Sequence, residues 1–329
     1  GGSTFESCPV PFSTFRFMEP GGSTTRGDYQ RAALLVLCRI AWLPSPQGGG
    51  QGLSHAAHGE DYAVCLLRTC GSSRVTAALP GGPLDLADIA LARANIVDGS
   101  DPQPLALRIT AIRRTFEDAG MLLAGRPPPS FAREALRVVL RREGPASFTA
   151  FLDDWGIGLQ PQSLHKFLSF SVAVDSERIF LAQAPDVGEL SFASAGNASE
   201  LLWARPSDAL RWHQQSKLEL PLAHWYALHL LHTNLGAIGD LPDLLSSDLG
   251  SLLCNVCLDA QPFVGSVQVG LGQRWLALPG DESHPMGPGP PGSRHRLLVA
   301  ESEGVRSFRA FAVEGQPLSS QWEGSKARL

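Results

Sequence analysis

The stretch Leu79-Pro80-Gly81-Gly82-Pro83 is the strictest local constraint in the chain. Its prolines lack an amide proton and have a fixed φ, and its glycines lack a Cβ. It continues neither a helix nor a central strand, so it must be a turn. Before it, residues 32–42, 62–68 and 74–78 are short runs rich in apolar, branched and aromatic residues, which predict strands. After it, residues 105–123 repeat at helical spacing, with Ile112, Phe116, Ala119 and Leu123 on the apolar side.

The rest of the chain reads in the same way. Residues 89–104 form a polar-to-mixed insertion before that helix, and Arg126-Pro127-Pro128-Pro129 ends it. Residues 131–142 and 146–155 predict two further helices. Residues 167–174 and 178–182 predict a hairpin around Asp175-Ser176. A strand at 200–204 runs into Arg205-Pro206-Ser207-Asp208, which caps another helix. The texture then changes, and a boundary is placed near Gln214. Beyond it, 222–235 reads as a helix, 241–258 as helical in parts, and 274–278, 296–299 and 308–313 as strands. The organisation read is an extended arm over 1–27, a domain over 28–214 and a C-terminal extension over 215–329. With 34 glycines and 25 prolines, long irregular connections are expected.

Charge narrows the function. The net charge is −5, which argues against a general nucleic-acid binder. Charged residues make up only 18% of the chain, against a usual ~25%, as in a surface partly covered by a partner. Lysine occurs only at Lys166, Lys217 and Lys326, and no Gly-Lys-Ser/Thr triplet makes a P-loop. Gly-x-Ser-x-Gly and His-Glu-x-x-His are also absent. The longest apolar run, 32–38, is far short of a membrane span, so no transmembrane segment is expected. No signal peptide is read, and with Gly1 first and methionine only at 18, 121 and 286 the initiator is taken to be missing. Cys38 and Cys65 lie in apolar runs as small hydrophobes, which fits a reduced intracellular chain.

Two segments carry chemistry. In the first, Gly82 is followed six residues later by Asp88. In the second, Arg113-Arg114-Thr115-Phe116-Glu117-Asp118-Ala119-Gly120-Met121 lies on the helix. Carboxylates close together on one helix face, with an acid from the preceding loop, gather the negative charge that holds Mg²⁺ against a diphosphate.

This pattern resembles the signature of the Nudix hydrolases: Gly, five residues, Glu, seven residues, then Arg-Glu-hydrophobic-x-Glu-Glu-x-Gly-hydrophobic. Gly82 and Asp88 match its first part; Arg113, Glu117, Asp118, Gly120 and Met121 match its second. Here 24 residues separate Asp88 from Arg113. Long insertions at that place occur in the acyl-coenzyme A diphosphatases of peroxisomes and mitochondria. Leu66-Leu67-Arg68-Thr69, the segment from Glu200 to Ala209 and Leu278-Pro279-Gly280-Asp281-Glu282 resemble that branch as well. The resemblance spans roughly residues 30–285. It implies an α/β fold, a Nudix-type α/β/α sandwich with a mixed sheet. It also implies Mg²⁺ or Mn²⁺ on Asp88, Glu117 and Asp118, with Arg113 orienting the box and Glu200 assisting as base or ligand. Gly81, Gly82 and Arg68 are then the ligand-binding candidates.

The chain departs from the family where it matters most. Arg114 stands where the family has its first helix glutamate, Thr115 where it has a hydrophobic residue, and Asp88 and Asp118 are each one methylene short. Arg114 is expected to pair with Glu117 or Asp118 and to block the metal. The function expected is therefore a degenerate, non-catalytic Nudix-fold subunit of a larger organellar assembly, with no cofactor. The alternative is an active Mg²⁺-dependent diphosphatase acting on coenzyme A or its acyl esters. A nucleotide-binding sensor without turnover is a third reading. Partners are expected to be other protein subunits, bound through the Phe-rich arm and the C-terminal extension. A mitochondrial location is expected, with the terminal Ala327-Arg328-Leu329 offering a peroxisomal alternative.

Three further candidates stand apart. His229-x-x-His232 and Cys254-x-x-Cys257 have zinc-ligand spacing, although packing on an amphipathic helix and in an apolar run explains them better. Arg133, Arg137, Arg141 and Arg142 give a basic helix face that could meet phosphates, although a solvated face or a partner contact is the preferred reading, and His55 and His58 read as inert.

Overall fold

The computed structural model describes residues 29–39, 62–70, 74–96, 99–125, 129–172, 175–184, 199–235, 256–262, 273–278, 281–284, 295–302 and 305–311. The arm over 1–27, Cys254, the 327–329 tail and most of 241–258 lie outside them.

The predicted strands are present as β1 (Tyr29–Arg39), β2 (Tyr62–Cys70) and β3 (Val75–Ala78), with the Gly-Gly turn forming a short β4 (Gly81–Pro83). Four helices follow: α1 (Leu86–Ala94), α2 (Gln103–Ala119), α3 (Ser130–Glu143) and α4 (Ala146–Asp154). Then come β5 (His165–Val172), β6 (Asp175–Gln183), β7 (Ser199–Ala204), α5 (Pro206–Gln214) and α6 (Leu222–Leu235). The described chain closes with β8 (Val256–Pro262), β9 (Gln273–Ala277), β10 (Arg296–Ser302) and β11 (Val305–Phe311). The strands run β11-β10-β9-β8-β5-β6-β1-β2-β3, with β4 added beside β1 and β7 beside β2. β1 with β6 and β5 with β8 are parallel pairs, and the others are antiparallel, so the sheet is mixed.

Strand alternation fills both faces. Ala32, Leu34, Val36, Ala63 and Cys65 pack with Leu107, Ile112 and Phe116 of α2 and with Leu136 and Phe148. Their neighbours Ala33, Leu37, Val64 and Leu66 point the other way. These pack with Leu210 of α5, with Trp225, Tyr226 and Leu231 of α6, and with Leu276, Leu297 and Phe308. Helices therefore cover both faces of the sheet, the α/β sandwich expected.

Four expectations are corrected. The start of the 89–104 insertion is helix α1, because Asp85 and Asp88 make a reciprocal capping box at its N-terminus. α2 stops at Ala119 rather than at 123: Gly120 takes the left-handed φ of 72° and its N–H bonds Phe116 O. Asp175 and Ser176 pair within β6 rather than forming the turn, and residues 256–258 are strand, not helix.

The basic face of α3 is also not solvated. Arg133 and Arg137 are buried, and Arg137 caps α2 by donating from Nε to Glu117 O at 3.3 Å and from Nη2 to Asp118 O at 3.2 Å. Those carbonyls end a helix and have no partner within it. Arg142 is exposed.

Phe116 is fully buried between α2 and the sheet, 6.2 Å from the ring of Phe148. Phe116→Ala is expected to cost about 3–5 kcal/mol of stability, read from chemical denaturation.

Candidate functional site

The box residues converge between α1 and α2. Asp88 sits in the first turn of α1, where it accepts the Asp85 N–H at 3.4 Å. Its carboxylate is buried and paired on both oxygens. Arg113 donates from Nε to Oδ1 at 2.8 Å and from Nη2 to Oδ2 at 2.7 Å, and the Thr110 hydroxyl donates to Oδ2 at 2.7 Å. Arg113 then reaches Glu117, one turn further along α2, through Nη1. The guanidinium has no solvent exposure at all. Burial works against its charge, but hydrogen bonds and charge from Asp88, then from Glu117, outweigh it and hold the proton more tightly than usual.

Arg114 lies one position on and turns to the other oxygen of Glu117, with Nη1 2.9 Å from Oε2. It runs across Gly82, where a Cβ would come within 2.7 Å of its Nε. Thr115, where the Nudix pattern has a hydrophobic residue, is fully buried with its hydroxyl unpartnered.

Asp118 is left without a guanidinium bonded to its carboxylate among these contacts. Burial and the Glu117 charge raise its pKa to about 6; Arg114, the backbone N–H of Gly81 and Arg137 pull the other way. The Gly81 contact depends on a close approach: β4 pairs with β1 at Ala33, and a Cβ on Gly81 would meet Ala32 O at 2.5 Å.

That approach is secured from the opposite face of the sheet. The Leu79 N–H donates to His224 Nδ1 of α6 at 3.1 Å. A proton on Nε2 then leaves Nδ1 free to accept, and Nε2 lies 3.1 Å from Glu177 Oε1. Burial would raise Glu177, but His224 and then Arg31 hold its pKa down.

Other candidates lie elsewhere. Arg68 and Glu200 pair at 3.1 Å directly across β2 and β7. Leu201 and Trp203 face α2, whereas Leu202 and Ala204 face α5 and α6. Glu200 therefore leaves the sheet on the face away from the box, as Arg68 does, and neither is brought to Glu117 and Asp118. Asp281, although fully buried, is bonded by Arg296 and the Ser283 and His295 amides. His229 stacks on Trp225 at 5.2 Å and its pKa is pushed down to about 4 by burial and His232, while His232 is exposed. The Cys257 side chain lies outside the described residues, as Cys254 does, and no group of three or more metal-ligating side chains occurs among those described.

The roles of Thr110, Arg137 and His224 escaped the sequence reading. The Asp85-x-x-Asp88 capping pattern was available as a signal for α1; nothing local marks Arg137 or His224.

No protein-family model matches the chain, and no curated protein matches it. Among solved structures, the crystal structure of a NUDIX hydrolase from Alicyclobacillus acidocaldarius is similar to it. That likeness covers 68% of this chain and 98% of the other, at 21% identity and a TM-score of 0.49. An identity this low says nothing about chemistry.

Two measurements probe the site. Arg113→Met strands buried Asp88 beside Thr110 and is expected to cost about 3–5 kcal/mol in chemical denaturation. For Asp118, the folded state binds the proton more tightly than the unfolded chain, so stability falls as pH rises from 3.8 to about 6. Asp118→Asn is therefore expected to gain on the order of 1–3 kcal/mol above that window, with the gain vanishing below it, in melts across pH.

Proposed function

We propose that this chain is a Nudix-fold protein whose box has become an internal ion-pair network, and that it serves as a non-catalytic structural or accessory subunit of a larger organellar assembly. One observation carries the reading: each oxygen of Glu117 is taken by an arginine, Oε1 by Arg113 and Oε2 by Arg114. With both oxygens of Asp88 on Arg113, Asp118 is, among the described residues, the one box carboxylate outside an arginine pair.

These residues do not fit a divalent cation. Mg²⁺ keeps near-octahedral oxygen ligation and takes carboxylates without competing partners. A cation beside Glu117 would face two guanidinium groups, and unit charges ~4 Å apart interact by about 4 kcal/mol at an effective dielectric of ~20. Glu200, on the other face of the sheet, does not replace the missing acid. The proposed partners are other protein subunits, reached through the N-terminal arm and the C-terminal extension; the proposed location is the mitochondrion, with the peroxisome as alternative.

The test is hydrolysis of coenzyme A by the purified chain with Mg²⁺ or Mn²⁺, beside an Arg114→Glu variant, with cation binding measured by calorimetry. The unmodified chain is expected to neither bind the cation at millimolar concentration nor turn over. Turnover confined to Arg114→Glu would identify that arginine as the block. Robust turnover by the unmodified chain, lost in Glu117→Gln, would overturn the proposal in favour of an active diphosphatase.

A further inference from the structure

The outer face of α3 is apolar where a surface helix is ordinarily polar. Its inward residues are Ala132, Arg133, Leu136, Arg137 and Leu140; its outward ones include Phe131, Glu134, Ala135, Val138, Val139 and Arg142. Two arginines that would keep a surface wet are turned inside, and three large apolar groups are turned out. Phe131 is 71% exposed, Val138 57% and Val139 36%. Trp155, just past α4 and 46% exposed, meets Phe131 edge-on at 6.3 Å between ring centroids. Four of the five exposed large apolar side chains among the described residues thus lie on α3 or against its first turn, and exposed apolar groups gathered in this way mark an interaction site.

We propose that this face is a self-association surface, on which α3 packs antiparallel against α3 of a second copy about a two-fold axis at Val138. The charges choose the occupant. Glu134 and Arg142 lie on the exposed face, four residues before and four after Val138. Antiparallel pairing about Val138 sets Glu134 of each copy opposite Arg142 of the other, giving two reciprocal ion pairs around an apolar centre. A two-fold contact needs one patch that carries both halves of its own complement, and this patch does. Glu134 gives one oxygen, Oε2, to Arg137 at 3.1 Å and is still 56% exposed, so it has an oxygen to offer. The valines supply the association; the exposed charges, weak singly, fix direction and register. The inference is independent of how the box is read.

Sedimentation velocity of the full chain over a concentration series tests it. A reversible dimer is expected. Val138→Asp, at an exposed position, should keep the fold by circular dichroism and weaken association by about tenfold or more. Arg142→Glu should weaken it less, and the swap Glu134→Arg with Arg142→Glu should restore it relative to Arg142→Glu alone. A monomer at every concentration would overturn the proposal. So would a dimer indifferent to Val138→Asp and to a second variant, Val139→Lys, or association only with a different protein. A swap that fails to restore association would remove the antiparallel register.

Discussion

The buried guanidinium of Arg113 is the interaction around which the helical layer is organised. An arginine with no solvent exposure is tolerable only with its charge met and its donors satisfied. Asp88 and Glu117 meet it, and their positions dictate much else. Asp88 comes from the first turn of α1, so α1 must lie along α2; Thr110, one turn before Arg113, completes the contact. Glu117 comes from the next turn, so its carboxylate points inward toward the pair. The same residues that would gather negative charge for a cation here neutralise one another.

The strand side of the site is fixed just as indirectly. The four residues from Leu79 to Gly82 pass between the layers, with one backbone amide held from each face. Leu79 is bonded by His224 of α6; Gly81 gives its N–H to Asp118 of α2. The segment after Gln214 thus contributes to the geometry of a motif that lies wholly before it. It also shares the core, since Trp225, Leu231 and Phe308 pack with Val64 and Leu66.

What the sequence made legible follows from what is local. The turn at Gly81-Gly82, the strands around it, the helix after it and the pairing of Arg114 with Glu117 depend on spacing within one element, and they were readable. Asp88 was read as a loop acid open to a metal, whereas in the structure it caps α1 and pairs on both oxygens with Arg113. Glu200 lies away from the box for a different reason. Its motif context was suggestive, but the face it leaves on is decided by strand parity against α2, which no local pattern reports. Arg133 and Arg137 looked like a solvated stripe because charge ordinarily marks the outside; Arg137 is inside because the carbonyl end of α2 needs donors.

The His224 contact also has a consequence in time. Donor and acceptor are separated by 145 positions. At synthesis rates of ~5–20 residues per second, roughly 7–30 s pass between the emergence of Leu79 and that of the imidazole that holds its amide. The Gly-Gly turn and the first strands must wait through that interval with one face of the sheet uncovered. A nascent chain in this condition presents Val64, Leu66 and the β1 edge to whatever is near the ribosome exit, and slower translation before α6 lengthens the exposure.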